Sequence, residues 1–318
     1  MGTKINIFKR DNDFLKFKRG VFMNKIGLCG TGKMGVEIAK RLLDCDQIVT
    51  AWNRTQSKVA PLIEFGAKRA TNISELVKNN DVILIIVGND VALDYIYKNS
   101  DGIKSQDLKN KIIIELSTTS VEKMKSLEQT IHSLNGEFIE CPVGGSTKPA
   151  RDGNLLGLVG GNKKTFEKIE YILKLICKRY EYLGEVGKGT AMKLAINLPL
   201  MVYWQALGEA MSIATNSGIK FDKALDIMMD SSGAAKVAHL KSNIMLQAIK
   251  NENNLGSTFN VSSSLKDINL MIEEGEKFNN QLHVIKSTKS YVQAAVNDGW
   301  SDHDASLLSV YINKKLRN

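Results

Sequence analysis

Cysteine and histidine are scarce, four of each in 318 residues, and neither set has a spacing that binds a metal or frames a disulfide scaffold. Cys29, Cys45, Cys141 and Cys177 lie far apart with no C-x-x-C pair, which reads as free thiols in a reducing compartment and sets the cytoplasm as the expected location. His132, His239, His283 and His303 share no ligand spacing, and Asp302-His303-Asp304 reads as a polar turn, so no metal is expected. No apolar run approaches the roughly 20 residues that span a bilayer, and no signal-peptide core precedes the body, so no membrane partner is expected. A clustered basic stripe is also missing. The formal charge is +9, of which residues 1–22 contribute +4, leaving a dispersed +5 that suits small anions and excludes nucleic acid as a partner. Met1-Gly2 lacks the Ser or Thr that N-myristoylation wants at position 6, where Asn6 stands. Met23 directly precedes the first strand-like run, so residues 1–22 read as an N-terminal extension expected to be disordered.

What is present describes a globular chain long enough for two domains, with 43% apolar and 24% charged residues. Residues 25–29, 48–52, 82–87, 112–116, 138–141 and 155–159 read as strands. Residues 36–43, 58–65, 73–79 and 121–134 read as helices between them. This alternation predicts α/β architecture: a doubly wound, Rossmann-type parallel sheet. Strand-like alternation then stops. A long helix over 190–217 and helical patterns at 222–229, 237–248, 265–278 and 282–296 predict an all-α second domain, with the long helix between the two. The expected division is 23–185 for a nucleotide-binding domain and 186–318 for a helical substrate and oligomerisation domain.

Gly30-Thr-Gly32-Lys-Met-Gly35 follows a strand and opens a helix, the context in which a G-x-G-x-x-G run binds a dinucleotide. The first glycine permits the turn, the second lets a pyrophosphate approach, and the third lets helix and strand pack. The second strand ends in Asn53-Arg54-Thr55, with Lys58 beyond, and carries no acidic residue for ribose hydroxyls. Arg54 offers a planar fork to a 2′-phosphate, with Asn53, Thr55 and Lys58 completing an anion pocket, so NADP(H) is expected over NAD(H). The alternative role for Arg54 is stacking on the adenine or facing solvent. Ser117-Thr118-Thr119 ends another strand, where hydroxyls either contact the nicotinamide ribose or cap the helix that follows; capping is the simpler reading.

Pro142-Val-Gly144-Gly145-Ser146 follows a strand, and its consecutive glycines make either a small anion nest for a carboxylate or an ordinary turn. Lys193 and Asn197 are four apart near the start of the long helix and so share one face. Burial and the helix dipole would lower the lysine pKa, fitting it for proton exchange with a carbonyl or hydroxyl oxygen. Met192, Met201, Tyr203 and Trp204 on the same helix read as core.

Together the fingerprint, Asn53-Arg54-Thr55, Ser117-Thr118, Pro142-Val143, the block from Gly187 to Asn197 and Lys266-Asp267 resemble the β-hydroxyacid dehydrogenase family, over nearly the whole chain from Asn24. The resemblance implies an NAD(P)-dependent reductase of small carbonyl acids of the glyoxylate, succinic semialdehyde or methylmalonate semialdehyde type. It implies Lys193 as general acid/base and Asn197, with the Gly144, Gly145 and Ser146 turn, as substrate ligands. It places Thr118 and Lys266 at the cofactor, where Lys33, Met34 and Val87 are also expected, while the long apolar helix over 190–217 and the wholly helical second domain suggest surface buried between subunits and so a homodimer or homotetramer. Residues 146–153 are similar to the glyoxylate/succinic semialdehyde reductase branch, whereas Gly144 stands where the family commonly has serine. Ile196 occupies the position at which a 6-phosphogluconate dehydrogenase would carry histidine, which argues against that enzyme. An imine reductase-like enzyme usually lacks the lysine. A non-catalytic, cofactor-bound interaction module is the alternative from a different class.

Overall fold

A computed structural model describes residues 25–252 and 255–317. The extension at 1–22 and Met23 therefore lie outside the described residues. The first strands are short and, apart from Thr50 and Glu115, apolar, as strands covered on both faces tend to be: β1 (Ile26–Cys29), β2 (Val49–Trp52), β4 (Val82–Ile85) and β5 (Ile112–Glu115) are buried throughout. With β3 (Lys68–Arg69) and β6 (Glu137–Glu140) they form a parallel array in the order β3-β2-β1-β4-β5-β6. The chain leaves β1 toward β2 on one side and returns to β4 on the other, so a crevice opens over the carboxyl ends of these strands.

Helices cover both faces. α1 (Lys33–Asp44) buries Gly35, Ile38, Ala39 and Leu42, one stripe at helical spacing, against the sheet. α2 (Ala60–Glu64), α3 (Ile73–Asn79), α4 (Asp90–Lys98) and α5 (Val121–Ser133) follow in turn. α4 has no counterpart among the helices expected from sequence, although Asn89 caps it by accepting from the Ala92 amide at 2.9 Å.

The sheet departs from wholly parallel order at one edge. β7 (Val143–Gly144) and the five-residue α6 (Thr147–Arg151) are too short to carry the chain across a sheet face, so β8 (Leu155–Gly161) runs antiparallel to both β6 and β7. α7 (Lys163–Ile176) then returns the chain to β9 (Cys177–Gly184), which pairs parallel with β8. Neither is among the elements expected from sequence, although Asn162 caps α7 through the Lys164 amide at 2.9 Å.

α8 (Lys188–Asn216) is 29 residues, about 43 Å at 1.5 Å per residue, and the remaining helices pack around it. α9 (Phe221–Asp230), α10 (Lys236–Ile249), α11 (Val261–Lys277), α12 (His283–Asn297) and α13 (Leu308–Lys315) enclose a second core built on Leu194, Met201, Trp204, Met211, Ile268 and Ile312. A Cβ on Gly208 would come within 2.8 Å of the Ile312 Cβ, so that glycine sets how closely α8 and α13 approach. Met201 and Trp204 are core as expected, but Tyr203 is only half-buried and Met192 is 42% exposed, because one residue's step of about 100° turns it out of the buried stripe that holds Lys193.

Candidate active site

The glycine loop between β1 and α1 separates its three glycines by physical role. Gly30 has φ +104°, and a Cβ there would overlap the Ile86 carbonyl; a Cβ on Gly35 would overlap the Gly30 carbonyl. Both are therefore demanded by the fold. Gly32 has ordinary extended backbone and a Cβ there would face open space, so the protein itself gives no reason for glycine. No side chain caps α1, and the amides of Lys33, Met34 and Gly35 point from its N-terminus toward that space. A cradle with one side-chain-free face and a helix N-terminus fits a pyrophosphate. Lys33 is exposed and reaches across to donate to the Ser257 carbonyl, tying the loop to the helical region. Met34 is half-buried in the first turn of α1.

At the end of β2, a cavity of about 130 Å³ is lined by Gly30, Trp52, Asn53, Arg54, Thr55, Lys58, Val87 and Tyr95, among others. Arg54 is exposed and its guanidinium lies 5.7 Å from the centre of the Tyr95 ring, which is stacked on Trp52. Arg54, Thr55 and Lys58 are thus gathered at one rim. Asn53 plays another part, since its Oδ1 accepts from the Thr31 amide at 3.2 Å and its Nδ2 donates to the Thr55 carbonyl at 3.0 Å. Through Oδ1 and one Nδ2 hydrogen it binds the end of β2 to the glycine loop and so shapes the pocket that it helps to line. Val87 donates its amide to Ser117 Oγ at 2.9 Å. Helix capping, the simpler of the two roles read for the segment, falls to Ser120, which accepts from the Lys123 amide at 3.1 Å.

Lys193 and Asn197, both 8% exposed, face inward from α8. Lys193 Nζ donates to Asn197 Oδ1 at 3.2 Å, and Asn197 Nδ2 donates to Asp267 Oδ2 at 3.0 Å. Asp267 is 2% exposed, and its Oδ1 lies 3.1 Å from the Lys266 ammonium without hydrogen-bond alignment, leaving that oxygen a buried acceptor with no donor among the described residues. Lys266 donates to the Thr118 carbonyl at 2.6 Å, joining α11 to the loop after β5. Burial lowers the Lys193 pKa below that of an ordinary lysine; the Asp267 carboxylate opposes this and the Lys266 charge adds to it. Burial, and not the helix dipole, is the leading cause, since Lys193 lies beyond the first turn where the dipole acts. Asp267 is the member of this chain that sequence reading named only as part of a motif.

Two buried carboxylates stand beneath these groups. Glu140, at the end of β6, accepts from the amides of Gly187 (2.7 Å), Gly189 (2.8 Å) and Thr190 (3.3 Å) and from Thr190 Oγ1 (2.6 Å), clamping the first turn of α8. Burial raises its pKa despite these four donors. Glu115, at the end of β5, accepts from the Ser117 amide at 3.0 Å and from the Tyr97 hydroxyl at 3.3 Å. No cation among the described residues pairs with it, and burial pushes its pKa up to about 7. Sequence reading missed both; for Glu115 an acidic residue closing an otherwise apolar strand was the available signal, whereas β6 carries glutamates at both ends and singles out neither.

The turn at Gly144, Gly145 and Ser146 lies between β7 and α6. Leu158 donates its amide to the Pro142 carbonyl at 3.2 Å, and the alternation of an antiparallel ladder then makes Gly144 and Leu156 the next bonded pair. Of the three residues only Gly145, at φ +129°, and Ser146 have amides outside the ladder, a smaller nest than consecutive glycines suggested. A Cβ on Gly144 would meet the Ile196 side chain of α8 at 3.7 Å, which brings the turn to the residue that precedes Asn197.

Two family models match the chain in tandem: the NAD binding domain of 6-phosphogluconate dehydrogenase over residues 25–184, and the NAD-binding of NADP-dependent 3-hydroxyisobutyrate dehydrogenase over residues 187–311. The chain is 34% identical to glyoxylate/succinic semialdehyde reductase 1 of Arabidopsis thaliana over 204 residues, covering 64% of this chain and 71% of that protein. It is 27% identical to the chloroplastic glyoxylate/succinic semialdehyde reductase 2 of the same plant over 281 residues, 88% of this chain and 77% of that one. A solved structure of 3-hydroxyisobutyrate dehydrogenase from Salmonella typhimurium has the same fold, with a TM-score of 0.81 at 20% identity over 91% of this chain and 99% of that one.

Proposed function

The chain belongs to the NAD(P)-dependent β-hydroxyacid dehydrogenase family, and from that premise we propose that it interconverts a small carbonyl acid and its hydroxy acid, with NADP(H) preferred and Lys193 as general acid/base. The observation that carries this reading is the buried Lys193–Asn197–Asp267 chain, next to Lys266, whose bond to the Thr118 carbonyl joins α11 to the loop after β5. A nicotinamide cofactor supplies or accepts the hydride. Gly32 and the N-terminus of α1 would hold its pyrophosphate, and Arg54, Thr55 and Lys58 its 2′-phosphate.

Reduction requires a proton at the carbonyl oxygen, and Lys193 delivers it from Nζ; in oxidation the same nitrogen takes the hydroxyl proton. A lysine whose pKa is lowered by burial moves a proton in either direction near neutral pH more readily than a solvated one. Asn197 holds the lysine in place through Oδ1, and Asp267 fixes the orientation of that carboxamide through Oδ2. Asn197 is thereby a positioning group as well as the substrate ligand that the resemblance implies. Gly145 and Ser146 amides would bind the substrate carboxylate, and Thr118, held by Lys266, would border the cofactor.

The two-part division near residue 185, a homodimer or homotetramer, and a cytoplasmic location belong to the same proposal. Support for the location is that all four cysteines are buried free thiols; among the described residues no helix is long and apolar enough to cross a membrane. An assay of glyoxylate, succinic semialdehyde, methylmalonate semialdehyde and cyclic imines with NADPH and NADH tests the reading. Carbonyl acids are expected to be reduced faster with NADPH. Lys193→Ala is expected to lower kcat by roughly 100-fold or more while cofactor affinity stays unchanged. Full turnover in that variant would defeat the mechanism, a tenfold preference for NADH would defeat the role of Arg54, and turnover of imines alone would favour the imine reductase reading. Tight NADPH binding with no turnover of any substrate would favour the interaction module.

A further inference from the structure

Glu115 is a buried carboxylate that the proton transfer does not use, and it stands at one end of a hydrogen-bonded path into the cofactor cavity. Its Oε1 accepts from the Ser117 amide at 3.0 Å, and the Ser117 hydroxyl donates to it as well. That hydroxyl oxygen in turn accepts from the Val87 amide at 2.9 Å. Val87 lines the cavity of about 130 Å³, and its Cγ1 lies 3.2 Å from where a Cβ on Gly30 would stand. Through Ser117, one carboxyl group therefore holds the loops after β4 and β5 together. Thr118, the next residue, receives Lys266 on its carbonyl.

The donors to Glu115 suit a neutral acid better than a carboxylate. Tyr97 of α4 donates to Oε2 at 3.3 Å, whereas Thr190 on Glu140 and Tyr311 on Asp298 close to 2.6 Å, the length of a charge-assisted bond. The other titratable groups that face it supply no positive charge. They are Cys29 at the end of β1, Asp90 at the start of α4, Asp101 beyond that helix and acting on Cys29, and Glu140, in register on β6 and engaged by α8. Burial and, after it, the Glu115 charge raise the Cys29 thiol pKa, and Cys29 directly precedes Gly30. Glu115 is thus within electrostatic reach of the loop proposed to hold the pyrophosphate. An anion bound there makes a second negative charge in the same buried surroundings more costly.

We propose, on the cofactor reading above, that Glu115 is a positioning residue: in its neutral form it holds Ser117 and Val87 in the arrangement that receives the dinucleotide, and binding of that anion draws a proton from solvent onto its carboxylate. A folded pKa of about 7 puts this exchange near neutral pH. The test is calorimetry of NADP+ binding to the full chain in buffers of different ionisation enthalpy, which reads affinity and proton number together. The parent is expected to bind roughly tenfold more weakly at about pH 8.5 than at about pH 6, and to take up about half a proton at about pH 7.5. Glu115→Gln keeps an acceptor for Ser117 and carries no charge. It is expected to match the parent at about pH 6, to bind roughly tenfold more tightly than the parent at about pH 8.5, and to take up about half a proton less at about pH 7.5. The difference between the two proteins removes the titrations of the 2′-phosphate and of Lys193, which they share. Ser117→Ala cuts Val87 from the carboxyl and is expected to weaken binding at every pH, by roughly threefold or more. If Glu115→Gln fails to fold, Tyr97→Phe serves: it removes a donor to the charged form, so affinity is expected to fall at a higher pH than in the parent. Equal proton uptake and equal pH dependence in the parent and the Glu115 or Tyr97 variant overturn the inference and leave the cofactor reading intact, as does full affinity in Ser117→Ala. Failure of NADP+ to bind the parent at any pH defeats both.

Discussion

Asp267 is the charge that holds the Lys193 pKa up against burial. Its carboxylate raises the lysine pKa against the stronger effect of burial, so removing that charge in Asp267→Asn lowers the pKa further. In oxidation the neutral lysine is the base, and in reduction the ammonium is the acid, so the Lys193 limb of the pH–rate profile moves to lower pH in both directions. An unmoved or upward-shifted limb would show that Asp267 does not act on the lysine. The glycine loop allows a similar separation. Gly32→Ala is expected to leave the unfolding temperature unchanged and to weaken cofactor binding, because a methyl there meets no protein atom. Gly35→Ala is expected to destabilise the fold itself, since its methyl overlaps the Gly30 carbonyl. Titration calorimetry with NADP+ alongside thermal unfolding separates the two. The residue types and order of this site were legible in the sequence, because Lys193 and Asn197 are joined by helical spacing alone. Asp267 lies 70 residues beyond Asn197 in the chain, and no local pattern connects them.

At the level of elements, the junction between β6 and α8 decides where Lys193 stands. Three amides and one hydroxyl from the first turn of α8 converge on Glu140, and a Cβ on Gly160 or Gly189 would crowd that carboxylate. Glu140→Ala leaves those donors buried without a partner, and a loss of about 2–4 kcal/mol of unfolding free energy is expected from denaturant melts. Stability equal to the parent would mean that water replaces the carboxylate. The sequence showed the helix and not its clamp. Helix α8 is read from periodicity, whereas the acid that holds it is an isolated glutamate in a strand. The antiparallel β8 was misread for a related reason, since strand direction depends on whether the connection crosses the sheet, and a short α6 and β7 resemble an ordinary loop when seen as sequence.

For the whole molecule, the sheet and the helical bundle are joined by long-range ties that include Lys33 to the Ser257 carbonyl, Lys266 to the Thr118 carbonyl and Glu140 to the start of α8. Global stability carries the mark of Glu115. Its folded pKa of about 7 exceeds the ordinary glutamate value of 4.5, so the folded state holds its proton over the interval between them and the unfolded state does not. Both states are protonated below that interval. As pH rises through it, stability falls, reaching a cost on the order of 3 kcal/mol above pH 7. Glu115→Gln is therefore expected to match the parent in acid and to exceed it in unfolding temperature at pH 8. A variant less stable than the parent at pH 8 would show that the charged carboxylate is favoured in the fold.

The sequence by itself determined the class of fold, the dinucleotide loop and the lysine–asparagine pair, because each rests on spacing within one element or on the order of elements along the chain. Tertiary structure decided the rest. It alone brought Asp267 to Asn197, Glu140 to the amides of α8, and Gly144 to Ile196, because those contacts join residues separated by tens of positions. Their chemistry arises from burial and proximity, which a linear pattern does not encode.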